Sequence, residues 1–169
     1  MHPLSLFKYC PKCGSIRFTE NNGKSKRCAD CGFVYYFNPS AATVAFIMNS
    51  KKELLVCRRA KDPAKGTLDL AGGFLDMYET GEQGVTREVL EETGLTLNAW
   101  QCRGVVTFLT ENPGDGEFMY LFTADGFEGE LKECDEGDLQ WVARSFLDSL
   151  PKWEGDKIFL DLLWQNEPF

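Results

Sequence analysis

The hydrophobic positions fall into short runs separated by polar breaks. AATVAFIMN (41–49) and ELLVCRR (53–59) are apolar runs of strand length, rich in β-branched and bulky residues, and Ser50-Lys51-Lys52 joins them. KDPAKGTLD (61–69) reads as a loop by its proline, glycine and charges, and LAGGF (70–74) as a short strand broken by paired glycines. Thr80 and Gln83 then form a T-x-x-Q capping box, which predicts a helix running to about Thr93 and stopped by Gly94. Further strands are predicted in WQCRGVVTFL, EFMYLFTAD and DLQWVA, and two closing helices around RSFLDSL and GDKIFLDLLW. This mixed order of strands and helices predicts an α/β or α+β sandwich. No internal repeat and no low-complexity segment interrupts it.

Composition narrows the class. A chain of 169 residues, 43% hydrophobic and 26% charged, has the balance of a globular domain that buries roughly 68–70% of its unfolded surface. No apolar run approaches the ~18 residues of a membrane span, and the first residues carry too short an apolar stretch for a signal peptide. The expectation is a cytoplasmic protein with no membrane partner. The net charge of −8 is unevenly spread. Residues 1–37 hold six Lys/Arg and two Asp/Glu, whereas the remainder holds twelve and twenty-four. The split points to a basic module (1–37) and an acidic one (38–169), with the composition shifting near Asn38-Pro39-Ser40. An acidic body repels polyanionic substrates unless bound cations invert its field.

Four of the seven cysteines stand in CPKCG and CADCG, as Cys10, Cys13, Cys28 and Cys31. Two residues between cysteines let one tight turn aim both thiolates at one metal, and the glycine after each pair eases that turn. Two such knuckles make a closed tetrahedral zinc site, so a structural Zn2+ is expected here. Two disulfides, or four separate buried thiols, are the other arrangements open to these residues. A module of this size cannot fold on its core alone, and the metal would supply its folding energy. Cys57, in the run LLVC, reads as a small buried hydrophobe. Cys102 and Cys134 are given no chemistry.

The segment GFLDMYETGEQGVTREVLEETGL (73–95) carries six carboxylates and one arginine. On a helix, Glu88, Glu91 and Glu92 share one sector, flanked by Val85 and Val89, which are expected to pack inward. Carboxylates crowded at the border of a core must protonate, pair or bind cations. Hard divalent ions such as Mg2+ or Mn2+ suit them, and a solvated acidic face is the alternative. The layout is G-x5-E-x7-R-E-U-x-E-E-x-G-U, where U is a bulky aliphatic. Gly73, Glu79, Arg87, Glu88, Val89, Glu91, Glu92, Gly94 and Leu95 fill every specified position. In this it resembles the Nudix box, over all its 23 residues.

The resemblance implies an α/β/α sandwich with a mixed sheet, here behind a small zinc ribbon. It implies hydrolysis of a phosphoanhydride in a nucleoside diphosphate linked to another group, using Mg2+ or Mn2+ and water. By position, Glu88 and Glu92 would be the main metal ligands and Glu91 a further ligand or hydrogen-bond partner. Arg87 would orient the glutamates, Glu79 would tie the loop to the helix, and the backbone at Gly72 and Gly73 would approach the metal. Such chemistry needs charge stabilisation and an activated water more than a nucleophilic side chain. The only histidine, His2, stands at the start of the chain, which argues against a Ser-His-Asp or Cys-His arrangement. Asn22-Gly23-Lys24-Ser25 lacks the first glycine of a phosphate loop and reads as the turn between the two knuckles.

The substrate signals divide. The ribbon ahead of such a domain is similar to that of the NADH pyrophosphatases, but their SQPWPFPxS signature is replaced by LNAWQCRGVVTFLTENPG. ECDEGDLQWV and PKWEGDKIF resemble segments of the oxidised-purine nucleoside triphosphatases. That resemblance implies Glu136 as an additional metal-reaching acid, Trp153 as a base-stacking platform and Asp156 as a reader of the base edge; core packing is the other use of Trp153. Arg59, beside the loop, is a candidate for phosphate contact, or else a strand-end charge. A nucleoside triphosphate, an oxidised purine nucleotide, NADH and ADP-ribose all stay open as substrates. A reading of another class is an idle nucleotide sensor, or a nucleic-acid- or protein-binding factor working through its ribbon. The intact Glu88 and Glu92 favour an enzyme, and a ribbon of +4 without a recognition helix does not favour nucleic acid. The ribbon is left to brace the fold, form a homodimer contact or help close the site.

Overall fold

The computed structural model describes residues 2–62, 64–109, 116–132, 134–147, 151 and 160–161. The chain forms two compact units, one of residues 1–40 with 107–118, the other of 41–106 with 119–169. No helix among the described residues is long and apolar enough to cross a membrane.

The first unit is a three-stranded antiparallel sheet, β1 (Phe18–Asn22), β2 (Ser25–Cys28) and β3 (Val34–Tyr36), in that order. Asn22-Gly23-Lys24-Ser25 makes the β1–β2 turn. The Asn22 side-chain oxygen accepts from the Lys24 N–H at 3.1 Å and the Ser25 hydroxyl at 2.9 Å, a local closure that asparagine favours. Two knuckles repeat one hydrogen-bond pattern. Gly14 N–H donates to the Cys10 carbonyl at 2.8 Å and Gly32 N–H to that of Cys28 at 3.0 Å. Both glycines are left-handed, at φ 74° and 72°, a conformation that other residues adopt only at a cost. The apolar centre is small, with Cys10, Phe18 and Cys28 buried and Phe33 against them.

The second unit is built on two sheets. One has the order β7 (Ala71–Phe74), β4 (Ser40–Ile47), β9 (Gly116–Glu128), β8 (Thr96–Leu109); the other has β10 (Gly137–Ala143), β5 (Glu53–Arg59), β6 (Leu68–Asp69). β4 and β5 therefore occupy different sheets and share one bridge, Met48 to Leu54. Their composition explains this. Residues 42–47 of β4 and 54–57 of β5 are buried without alternation, as befits strands covered on both faces and central to their sheets. A simple hairpin of the two would leave half of those side chains wet.

Between β7 and β8 runs α1 (Gly81–Thr93), with the Thr80–Gln83 capping box formed in both directions and Gly94 closing the helix at φ 79°. Val85 and Val89 are fully buried against Ala45, Ile47, Leu55, Leu95 and Phe122. Apolar burial of this kind is worth roughly 25 cal/mol per Å² and holds the acidic side of α1 in place. The helix predicted around RSFLDSL is described as the single turn α2 (Arg144–Leu147). Of the last predicted helix, residues 160 and 161 are helical; its other residues, Asp156 included, and Trp153 ahead of it lie outside the described residues.

Candidate active site and metal centre

Arg87 is the hub of the loop and helix. Its Nε and Nη2 donate to the two oxygens of Glu79 at 2.9 and 2.8 Å, and Nη2 also donates to the Phe74 carbonyl at 3.0 Å. Nη1 donates to Glu88 Oε1 at 2.8 Å and to Glu91 Oε2 at 3.3 Å. One planar guanidinium thus joins the loop before α1 to two of the helix glutamates, a geometry an ammonium cannot reproduce. The Glu79 carboxyl is pushed down to about 2, first by its hydrogen bonds from Arg87 and then by the Asp76 N–H; the Arg87 guanidinium is raised in turn by Glu79 and Glu88. Glu88 lies flat on the backbone of β7. A Cβ at Gly73 would stand 2.6 Å from the Glu88 carboxyl carbon, so only glycine admits the approach.

Glu92 occupies a different setting. Its Oε2 accepts the Gly72 N–H at 3.0 Å, and its carboxyl is pushed up to about 7, chiefly by burial and further by the charges of Glu88, Asp69 and Glu136. It faces a cavity of about 170 Å³ lined by Cys57, Arg59, Asp69, Leu70, Ala71, Gly72, Glu92, Cys134, Glu136 and Leu139. Three carboxylates there meet one guanidinium. Arg59 is ion-paired with Asp69 and its pKa is raised by that hydrogen bond first; the exposed Glu136 is 3.7 Å from Lys61. The excess negative charge, with oxygen donors beside the half-buried backbone of Gly72, fits a hard divalent cation.

The site residues are brought together unevenly. Glu79, Arg87, Glu88 and Glu91 form one hydrogen-bonded group, while Glu92, Gly72, Arg59 and Glu136 gather around the cavity. Glu91 is largely exposed, and its carboxylate accepts from Arg87. The carboxylate oxygens do not converge on one point: among the described residues, the cysteines Cys10, Cys13, Cys28 and Cys31 are the group whose donor atoms all lie within 4.8 Å of one another.

That cysteine group has the dimensions of a metal centre. Cys10 and Cys31 sulfurs are 3.7 Å apart, as are those of Cys13 and Cys28. Four thiolates at about 2.3 Å from a central zinc would have edges of about 3.75 Å, whereas a disulfide brings sulfurs to about 2.05 Å. The Cys28 thiol is pushed down to about 6 by the backbone N–H of Cys31, with that of Asp30 adding to it. Amides aimed at the sulfur favour the thiolate, which is the form that binds metal.

Two features escaped sequence reasoning. Asp69 enters the cavity because β6 pairs with β5, setting Asp69 opposite Cys57; the sequence shows it only as one acid in a loop. Cys57 and Cys134 both line the cavity, although nothing in LLVC or KECDEG marks them as neighbours.

Comparison with known proteins gives a consistent set of relatives. The sequence pattern of the NUDIX domain matches residues 38–163. The chain is 35% identical over 135 residues to an ADP-ribose pyrophosphatase of Methanocaldococcus jannaschii, covering 78% of each protein. It is 30% identical over 144 residues to the NAD-capped RNA hydrolase NudC of Vibrio atlanticus, covering 83% of this chain and 51% of that one. The crystal structure of a MutT NUDIX hydrolase from Burkholderia pseudomallei superposes with a TM-score of 0.64 at 29% identity, over 73% of this chain and 97% of that one.

Proposed function

The chain belongs to the Nudix hydrolase family, a pyrophosphohydrolase family dependent on divalent metal, and on that premise we propose that it cleaves the phosphoanhydride of a nucleoside diphosphate joined to a second group, ADP-ribose being the first candidate. The observation that carries this reading is Glu92, half-buried and accepting the Gly72 N–H on a cavity with more carboxylates than cations. An ion-free carboxylate in such a place is costly, and a divalent ion turns the cost into binding. Glu88 and Glu92 would be the principal ligands, with Glu136 reaching the same ion from across the cavity and the carbonyls at Gly72 and Gly73 near it. Mg2+ or Mn2+ is the proposed ion. When bound, it neutralises the pyrophosphate and lowers the pKa of a water that attacks phosphorus.

The protein's own groups do the positioning. Arg87 holds Glu88 and Glu91 from one side and ties them to Glu79, so that helix and loop present their carboxylates in fixed directions. Arg59 on the cavity wall would meet a substrate phosphate, exchanging part of its pairing with Asp69. The four cysteines would hold one structural Zn2+ in a ribbon of residues 1–37, ahead of a catalytic domain of residues 38–169.

The similarity to an ADP-ribose pyrophosphatase over 78% of both chains supports ADP-ribose. A second reading, an oxidised purine triphosphate, is favoured by Glu136 lining the same cavity as Glu92; its base-binding residues would be Trp153 and Asp156. The test is kcat/KM measured with Mg2+ and with Mn2+ over ADP-ribose, NADH, NAD-capped RNA, and normal and oxidised purine triphosphates. Preference for ADP-ribose supports the first reading, and preference for an oxidised triphosphate supports the second. Binding without turnover of any of them would make the domain a nucleotide sensor.

A further inference from the structure

The edges of the three sheets are guarded unequally. An edge strand offers a row of N–H and C=O groups to any other strand, and proteins blunt such rows by shortness or by charge. β3, β6 and β7 are three, two and four residues long. β1 carries Glu20 and β10 carries Asp138. β8, at the edge of the four-stranded sheet, has neither protection. It runs for 14 residues from Thr96 to Leu109, and none of the chain's 26 acids falls in it. Its one cation, Arg103, turns to the neighbouring strand and donates to the Thr123 hydroxyl at 2.8 Å. Asn98, Ala99, Trp100, Gln101, Cys102 and Arg103 are exposed in unbroken succession, so both faces of the strand meet solvent there. Gly104, at φ 149°, ends the regular run.

We propose that residues 96–103 of β8 are the surface by which two copies of this chain join, antiparallel about a two-fold axis near Trp100, so that the two four-stranded sheets become one continuous sheet. The chemistry of the edge favours a second copy over a foreign strand. A foreign peptide added to a sheet is selected by pockets for its alternate side chains or by opposite charge, and residues 98–102 carry no charge to select with. Self-pairing asks only that one strand present the same edge twice, because an antiparallel pair about a two-fold axis matches each donor to the partner's acceptor. Each copy has a net charge of −8, which opposes contact between acidic surfaces. On β8 two copies meet without one carboxylate facing another. Trp100 is 40% exposed, and an axis beside it makes the two indoles cross-strand neighbours, a pairing that stabilises sheets.

The experiment is sedimentation equilibrium of the full chain over a concentration series under reducing conditions, for the wild type, Trp100→Lys and Asn98→Lys, with amide hydrogen exchange on the same samples. The wild type should reach twice the mass of one chain as concentration rises. Both substituted positions are exposed, so the variants should keep the wild-type circular dichroism. Each should weaken association at least about tenfold, since the axis brings two lysines close together. Amides within residues 96–103 should exchange more slowly in the concentrated wild type than in the dilute one, and at one fast rate in both variants. A wild type that stays monomeric to its solubility limit would overturn the surface. So would a dimer that survives both substitutions, or one whose β8 amides exchange alike at low and high concentration. No substrate or added metal enters these measurements, so their failure leaves the proposed hydrolysis standing, and failure of the hydrolysis leaves this surface standing.

Discussion

Replacing Glu92 by Gln should make the metal-free protein more stable at neutral pH while abolishing its activity. Burial lifts this carboxyl from the usual 4.5 to about 7. For an acid the sign follows directly: the native state holds its proton more tightly than the unfolded chain does. Stability is therefore greatest below pH 4.5 and is lost as pH rises through 7. The difference corresponds to about 3 kcal/mol at about 1.36 kcal/mol per pKa unit. Glutamine imitates the neutral acid at every pH and can still accept the Gly72 N–H. With EDTA present, the two proteins should unfold alike in urea at pH 4.5, and the variant should be the more stable by up to about 3 kcal/mol at pH 8. For a protein of this size that is a gain of several degrees in Tm. Saturating Mg2+ should stabilise the wild type at pH 8 and leave the variant where it was. A variant less stable than wild type at pH 8, or a difference that does not grow with pH, would refute the claim that Glu92 is an uncompensated charge awaiting a cation.

Other consequences can be checked separately. Arg87→Lys loses the fork that grips Glu79 on two bonds, and loss of such a supporting partner typically costs about 10–100-fold; kcat should fall in that range with α1 still formed by circular dichroism. Gly73→Ala drives a methyl into the Glu88 carboxylate, so the Mg2+ concentration for half-maximal rate should rise at least tenfold, and an unchanged value would place Glu88 outside the metal's reach. Glu79, held down at about 2, contributes stability that is present above pH 4.5 and lost as pH falls from there towards 2; Glu79→Gln should flatten that part of the acid-unfolding curve. Elemental analysis should find one zinc per chain, and Cys28→Ser should lose it and expose the first unit to proteolysis.

What the sequence discloses about this molecule is mostly what is local. The cap at Thr80, the stop at Gly94 and the inward pair Val85 and Val89 follow from neighbours along one helix, and all are found in the structure. The knuckles are local as well, each a turn closed on its own glycine. The assignment of β4 and β5 to separate sheets is not local. It depends on which strands cover their faces, and their unbroken apolar runs are the only hint. Asp69, Cys57 and Cys134 meet at one cavity through the ladders of β5 with β6 and β10, so no spacing in the chain announces them. Trp153 and Asp156 lie outside the described residues, and their part in base binding rests on the resemblance of short segments.

The most direct test of the account is hydrolysis of ADP-ribose by the full chain, with products resolved by chromatography, in Mg2+, in EDTA and with Glu92→Gln. AMP and ribose 5-phosphate are expected in Mg2+, with rates lower by orders of magnitude in EDTA and in the variant. Cleavage that persists in EDTA, or a Glu92→Gln enzyme that turns over like the wild type, would contradict it.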